Sequence, residues 1–195
     1  MGNEYDVGSG KTGAGFLVKM TMENSDQIIN KVAESSLLTF DLEDFYIPGT
    51  RVSFDISSLL YEGLILKEKD FRTFLKQEDW SQYQGKFVSV HCSSDAIIPT
   101  WAYMLLASCL QPYARKVVFG DLQKLEEVLF YEALLHLDVE VYRDRKVVVK
   151  GCSKVAVPVS AYLDITQKLV AVAKSVMFGE ACSTVPVFKN LGKSI

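Results

Sequence analysis

Three Cys-Ser steps, Cys92-Ser93, Cys152-Ser153 and Cys182-Ser183, are the residues of this sequence best suited to chemistry. Thiolates are soft ligands, so three brought together would hold zinc, iron or an iron–sulfur cluster. Asp95, Asp121, Glu180 and His91 lie close enough in sequence to supply a fourth ligand. No Cys-x-x-Cys pair is present, and small Cys and Ser also suit tight strand-to-helix turns, so plain packing stays open beside a metal site. A second chemistry centres on Cys152 as a catalytic thiol. Lys150 and Lys154 flank it, and positive surroundings favour the thiolate or an anion bound by the loop. A nucleophile also needs a positioned base. The two histidines are poorly placed for that: His91 adjoins Cys92, so strand alternation turns them to opposite faces, and His136 ends a predicted helix. Cys109 sits in an apolar helical pattern and reads as core packing.

The elements that must position these residues repeat. Lys86-Phe87-Val88, Lys116-Val117-Val118 and Lys146-Val147-Val148 open short β-branched runs 30 residues apart (116 − 86 and 146 − 116), and Ser175-Val176-Met177-Phe178 opens a fourth. A period near 30 is the length of a strand–helix unit. Helical patterns follow the first three runs: Trp101, Met104, Leu105 and Cys109; then Leu122, Leu125, Leu129, Ala133 and Leu137, N-capped by Asp121; then Tyr162, Ile165, Leu169 and Val172. Lys86 to Tyr103 and Lys146 to Tyr162 both read strand, Cys-Ser, loop, proline, then Ala-Tyr in the first helical turn, with one residue of difference in loop length. Proline suits a helix start because its missing N–H has no intrahelical partner there. Val118-Phe119-Gly120-Asp121 is echoed by Met177-Phe178-Gly179-Glu180. All three Cys-Ser steps therefore fall just past the C-terminal end of a predicted strand and are expected to meet at one sheet edge, where open α/β sheets bind ligands.

Before this core, Leu37–Phe40, Val52–Ile56 and Leu64–Leu66 read as short strands, with Pro48-Gly49 as a turn and a charged helix over Glu68–Lys76 that faces Phe71, Phe74 and Leu75 inward. The fold predicted is α/β and three-layered, with a mostly parallel sheet of βα units over residues 86–180 and additional antiparallel N-terminal strands. Residues 1–21 read as a disordered, Gly-rich leader or extension, with Met20 and Met22 as alternative starts, and 22–195 as a single α/β domain opening with a helix at Asn24-Ser25. Gly8-Ser9-Gly10-Lys11-Thr12 lacks the spacing of a phosphate loop, since Tyr5 stands where glycine is required. Asp41, Glu43 and Asp44 form an acidic cluster that reads as a solvated loop rather than a hard-cation site, and Arg143 to Lys146 as a solvent-facing charged turn. Trp101 and Tyr103 read as core aromatics before site residues.

Composition narrows the classes. Hydrophobic residues make up 49% and charged ones 23%, with a formal charge of −3. An acidic balance disfavours nucleic-acid binding, and no apolar run reaches the roughly 20 residues of a membrane span. The N-terminus lacks the apolar core of a secretory signal, so four cysteines point to free thiols or metal ligands in a reducing, cytoplasmic compartment.

Cys92-Ser-Ser-Asp-Ala-Ile-Ile-Pro-Thr-Trp-Ala-Tyr, Lys116-Val-Val-Phe-Gly-Asp-Leu, Val149-Lys-Gly-Cys-Ser and Phe178-Gly-Glu-Ala-Cys-Ser-Thr-Val-Pro-Val resemble a bacterial family known only as domain of unknown function 2480, over about Met22 to Lys189. The leader departs from the family pattern. The resemblance implies a link to iron–sulfur cluster assembly, and hence assembly proteins as partners. Three functions stay open on the sequence. One is a metal or iron–sulfur protein that uses Cys92, Cys152 and Cys182 and is accessory to cluster assembly. The others are a thiol-dependent or anion-binding enzyme centred on Cys152 and a non-catalytic interaction module without cofactor. Homo-oligomerisation is compatible with each.

Overall fold

A computed structural model describes residues 37–151, 154–180 and 182–190 of the chain. The expected leader, the start at Asn24-Ser25 and the step Cys152-Ser153 lie outside the described residues. In chain order the elements are β1 (Leu37–Asp41), β2 (Arg51–Asp55), α1 (Glu68–Gln77), β3 (Phe87–His91), α2 (Thr100–Leu110), β4 (Lys116–Phe119), α3 (Leu122–Leu135), β5 (Lys146–Lys150), α4 (Val159–Val170), β6 (Ser175–Glu180) and β7 (Ser183–Lys189). One-turn 3-10 helices follow β1 and β2 and precede β3 and β5.

The α/β class and the mostly parallel pairing are as predicted, but the strands divide between two sheets, β2-β3-β4 and β1-β5-β6-β7. The N-terminal strands are also parallel, not antiparallel: β1 pairs with β5 and β2 with β3. The Pro48-Gly49 segment carries the chain from one sheet to the other. Each of these strands then meets its neighbour only after a helical crossover, which permits parallel pairing. The antiparallel member is β7, paired with β6 as far as Glu180 opposite Ser183. The short strand expected at Leu64–Leu66 reduces to an isolated bridge between Tyr61 and Ile65.

Burial explains the layering. Val88 and Val90 point to one face of the first sheet, where Phe71 and Leu75 of α1 and Ala102, Leu106 and Leu110 of α2 cover them. Phe87 and Val118 point to the other face and meet Leu125 and Leu129 of α3. The far side of α3, Phe130 and Leu134, joins Ala161, Ile165 and Leu169 of α4 over Phe40, Val147, Val149 and Val176 of the second sheet. Among the described residues the layers thus run α1 with α2, first sheet, α3 with α4, second sheet, four where three were expected, because the strands divide into two sheets with a helical layer between them. Helix α2 buries Ala102, Leu106 and Leu110 most deeply, packs the predicted Trp101, Leu105 and Cys109 at the margin of the same core, and leaves Met104 in solvent. Its sequence is apolar almost all round, so periodicity could not choose a face.

The two sheets are copies of one unit. Residues of β3–α2–β4 map onto β5–α4–β6 at a constant separation of 59 (146 − 87, 159 − 100 and 175 − 116). The backbone bonds correspond: Gly85 N–H to Tyr113 O at 2.8 Å matches Asp144 N–H to Val172 O at 3.0 Å, and Arg115 N–H to Lys86 O matches Lys174 N–H to Arg145 O, both at 2.8 Å. Gly85 and Asp144 share a left-handed backbone, with φ of 69° and 56°. A second correspondence relates Phe54-Asp55-Ile56 to Phe40-Asp41-Leu42, each aspartate capping the 3-10 turn after its strand. Unit one is β2–α1–β3–α2–β4. Unit two is β1, α3, β5, α4, β6 and the added β7. Among the described residues no helix is long and apolar enough to cross a membrane.

Candidate functional site

Parallel pairing places the C-terminal ends of neighbouring strands side by side, so β2 and β3 end together at Asp55 and His91. Asp55 Oδ1 accepts the backbone N–H of Ser57 at 2.9 Å and of Ser93 at 3.0 Å, and the Ser93 hydroxyl donates to Ser57 Oγ at 3.0 Å. The carboxylate latches the loop after β3 to the turn after β2. Burial opposes its ionisation, but the hydroxyl and N–H groups of Ser93 and Ser57 outweigh that and hold it far below the usual carboxylate range. The Cys92 thiol, half-buried beside the latch, contacts Ser94 Oγ at 3.2 Å.

Unit two repeats the plan with other side chains. β1 and β5 end at Asp41 and Lys150, whose Nζ lies 3.0 Å from Asp41 Oδ2. Asp41 accepts the N–H of Glu43 at 3.0 Å, and the Glu43 carboxylate accepts the N–H of Lys154 at 2.7 Å across the loop. The Asp41 carboxylate raises the Lys150 pKa, with the charges of Glu180 and Glu43 adding to it. The acidic cluster at 41–44 is therefore partly structural: two of its members fasten this loop.

Beside each loop lies an apolar cavity. In unit one it is about 280 Å³, between α2 (Thr100, Tyr103, Met104) and the end of β4 (Val117, Phe119). In unit two it is about 380 Å³, between α4 (Val159, Tyr162) and β6 (Val176, Phe178), with Val187 of β7 as a further wall. An aromatic pair marks both: Tyr103 meets Phe119 edge-on at 5.0 Å and 85°, and Tyr162 meets Phe178 at 5.8 Å and 75°. Burial raises the Tyr103 pKa, with the charges of Cys92 and Asp55 contributing, so its phenol stays protonated between latch and cavity.

The sequence-predicted residues are spread over these places. Cys92 follows β3 in the first sheet, whereas Cys182 is exposed in the β6–β7 turn of the second, and β5, which leads toward Cys152, also belongs to the second. The expected single sheet edge is thus two edges. His91 Nδ1 pairs with Ser53 Oγ at 3.2 Å and its Nε2 lies 4.0 Å from Asp55. That row carries serine, histidine and aspartate, but the last separation exceeds a hydrogen bond, and the same positions in unit two hold Thr39, Lys150 and Asp41. Asp121 caps α3, accepting Lys124 N–H at 2.8 Å. Asp95 is exposed, and so is Glu180 at the end of β6. Cys109 packs at the margin of the unit-one core, as predicted. Among the described residues no three or more His, Cys, Asp or Glu side chains gather closely enough to hold a metal ion.

Two features escaped the sequence reading. The latch residues Asp55, Ser57 and Ser93 are one; the echo of Phe40-Asp41 in Phe54-Asp55 was the available signal. The other is the register of the repeat. Matching Lys86 to Lys146 sets Cys92 against Cys152, but the strands align Phe87 with Lys146, so Cys92 corresponds to Gly151 and Ser93 to position 152. The constant separation of 59 removes the supposed difference in loop length. No curated protein and no solved structure matches this chain. A family model described as "Protein of unknown function (DUF2480)" matches residues 26–190, and the chain, with its paired loops and cavities, belongs to that family.

Proposed function

We propose that this chain is a non-catalytic interaction module whose working surface is the groove between α2 and the outer edge of β4. The carrying observation is the contrast between two equivalent grooves in one molecule. In unit two the groove is walled by Val187, and β7 pairs antiparallel with the outer edge of β6. In unit one no strand among the described residues pairs with the outer edge of β4, and Phe119 is 69% exposed against 47% for Phe178. A row of unpaired N–H and C=O groups beside an apolar groove is how folded domains take up an extended segment. At Cys92 the thiol contacts Ser94 while His91 contacts Ser53, so thiol and imidazole there serve separate partners, and the catalytic reading centred on Cys152 falls outside the described residues.

A peptide of the β7 sequence, Ser183–Lys189, titrated into isotope-labelled protein should shift the amide resonances of β4 and α2. Shifts confined to other elements, or none in protein that is monomeric, would refute the reading. Stoichiometric zinc, iron or labile sulfide in anaerobically purified protein, lost on Cys92→Ser or Cys182→Ser, would favour the metal site of Cys92, Cys152 and Cys182 in its place.

A further inference from the structure

We infer that the occupant of the β4–α2 groove is a second copy of this chain, joined β4 to β4 in antiparallel pairing about a two-fold axis. The two three-stranded sheets then become one sheet of six. This rests on the groove being the working surface and specifies what fills it.

Charge favours self-pairing. β4 is preceded by Arg115, begins with Lys116 and is followed by Gly120 and Asp121. An axis through Val118 sets residue 116 against 120 and 115 against 121, so the basic end of each strand meets the acidic end of the other. Arg115 and Asp121 are both exposed, the first with its guanidinium over the Phe87 ring and the second capping α3, and the Lys116 ammonium is drawn aside into an ion pair with Glu132. Like charges do not face each other across such a seam.

Shape agrees. A two-fold axis perpendicular to the sheet keeps each face on its own side, so Val117 and Phe119 of both copies lie beneath both α2 helices. Met104, 68% exposed on α2, and Phe119 then cover one another across the seam. A foreign strand would gain few main-chain bonds from the four residues of β4, whereas a second copy adds a helix face. Of the two outer strands of the other sheet, β7 is blunted by Pro186 and a register shift at Val176/Met177, and β4 has neither device.

Sedimentation velocity of the full chain over a range of concentrations tests this. The expected result is a species of twice the 21.8 kDa chain mass. Phe119→Asp and Met104→Asp, both at exposed positions, should each weaken self-association at least tenfold without loss of circular dichroism, while Val187→Asp on β7 should not. A dimer indifferent to Phe119→Asp and Met104→Asp overturns the inference. So does a monomer at all concentrations. In that case the β7 peptide separates the two ideas: shifts at β4 keep the interaction module with a foreign strand as its occupant, and their absence removes both.

Discussion

His91 and Lys150 hold the same place in the two halves of this chain, each closing the middle strand of its unit opposite the aspartate that ends the neighbouring strand. The basic partner differs, with Nε2 of His91 at 4.0 Å from Asp55 and Nζ of Lys150 at 3.0 Å from Asp41, while the aspartate and its 3-10 turn stay the same. What the units share at this edge is the fastening of a loop.

Asp55→Ala removes the acceptor for two backbone N–H groups and should cost about 1–2 kcal/mol in urea unfolding. The pH dependence follows from the direction of the shift. The folded-state pKa lies below the unfolded value of about 4, so the stabilisation is complete above that value and fades as pH falls beneath it. The gap between wild type and Asp55→Ala should be constant from pH 7 to about 5 and narrow below 4.

Gly179→Ala should destabilise more than Gly120→Ala. Both glycines have positive φ, 121° and 129°. A Cβ on Gly179 would lie 2.5 Å from the Ser183 carbonyl oxygen, a backbone atom of the β6–β7 turn. On Gly120 it would lie 2.7 Å from Lys124 Cβ, a side-chain atom. Each replacement should cost at least about 1 kcal/mol, with the Gly179 variant losing more in thermal unfolding.

Arg51 ties unit one to α3. Its guanidinium reaches Glu126 through Nε at 2.5 Å and Nη2 at 3.2 Å and lies over the Tyr46 and Phe87 rings at 4.4 and 5.0 Å. Its side chain is 12% exposed. Arg51→Met strands a partly buried carboxylate and should cost about 3 kcal/mol, and adding Glu126→Gln should recover a measurable part of it. Equal losses in the single and double variants would mean that packing, not charge, is what Arg51 supplies.

Thiol accessibility separates the cysteines. Iodoacetamide should modify Cys182, which is exposed, before Cys92 and Cys109, which are half-buried. Peptide mass spectrometry over a time course reads the order, and labelling of Cys92 ahead of Cys182 would contradict the placement.

The sequence shows the βα rhythm because buried parallel strands must be β-branched: Val88, Val117, Val147 and Val176 disclose four strands, and Asp121 discloses a helix start that its carboxylate does cap. The division into two sheets is not visible in the same residues, because Lys86-Phe-Val and Lys146-Val-Val carry no mark of which neighbour they will take. Helix α3 serves both sheets, with Leu125 and Leu129 against one and Phe130 and Leu134 against the other. Much of the candidate site was legible in fragments: Ala-Tyr at 102–103 and 161–162 and Phe-Gly at 119–120 and 178–179 stand out as echoes. That tyrosine and phenylalanine touch is a property of α2 packing on β4, which periodicity in a nearly all-apolar helix does not determine.

β1 lies ahead of the whole of unit one in the chain, yet its partner is β5, so Leu37 pairs with Lys146 across 109 positions (146 − 37). During synthesis every strand of unit one emerges before β5 exists. Its closure is comparatively local, and it can therefore form while the ribosome is still translating the second half. Leu37, Leu38 and Phe40 must wait unpaired over that interval, an apolar stretch kept open by the order of the chain. The path by which the polypeptide threads its two sheets thus sets an order, with the sheet that needs the longest closure completed after the one built from neighbouring segments.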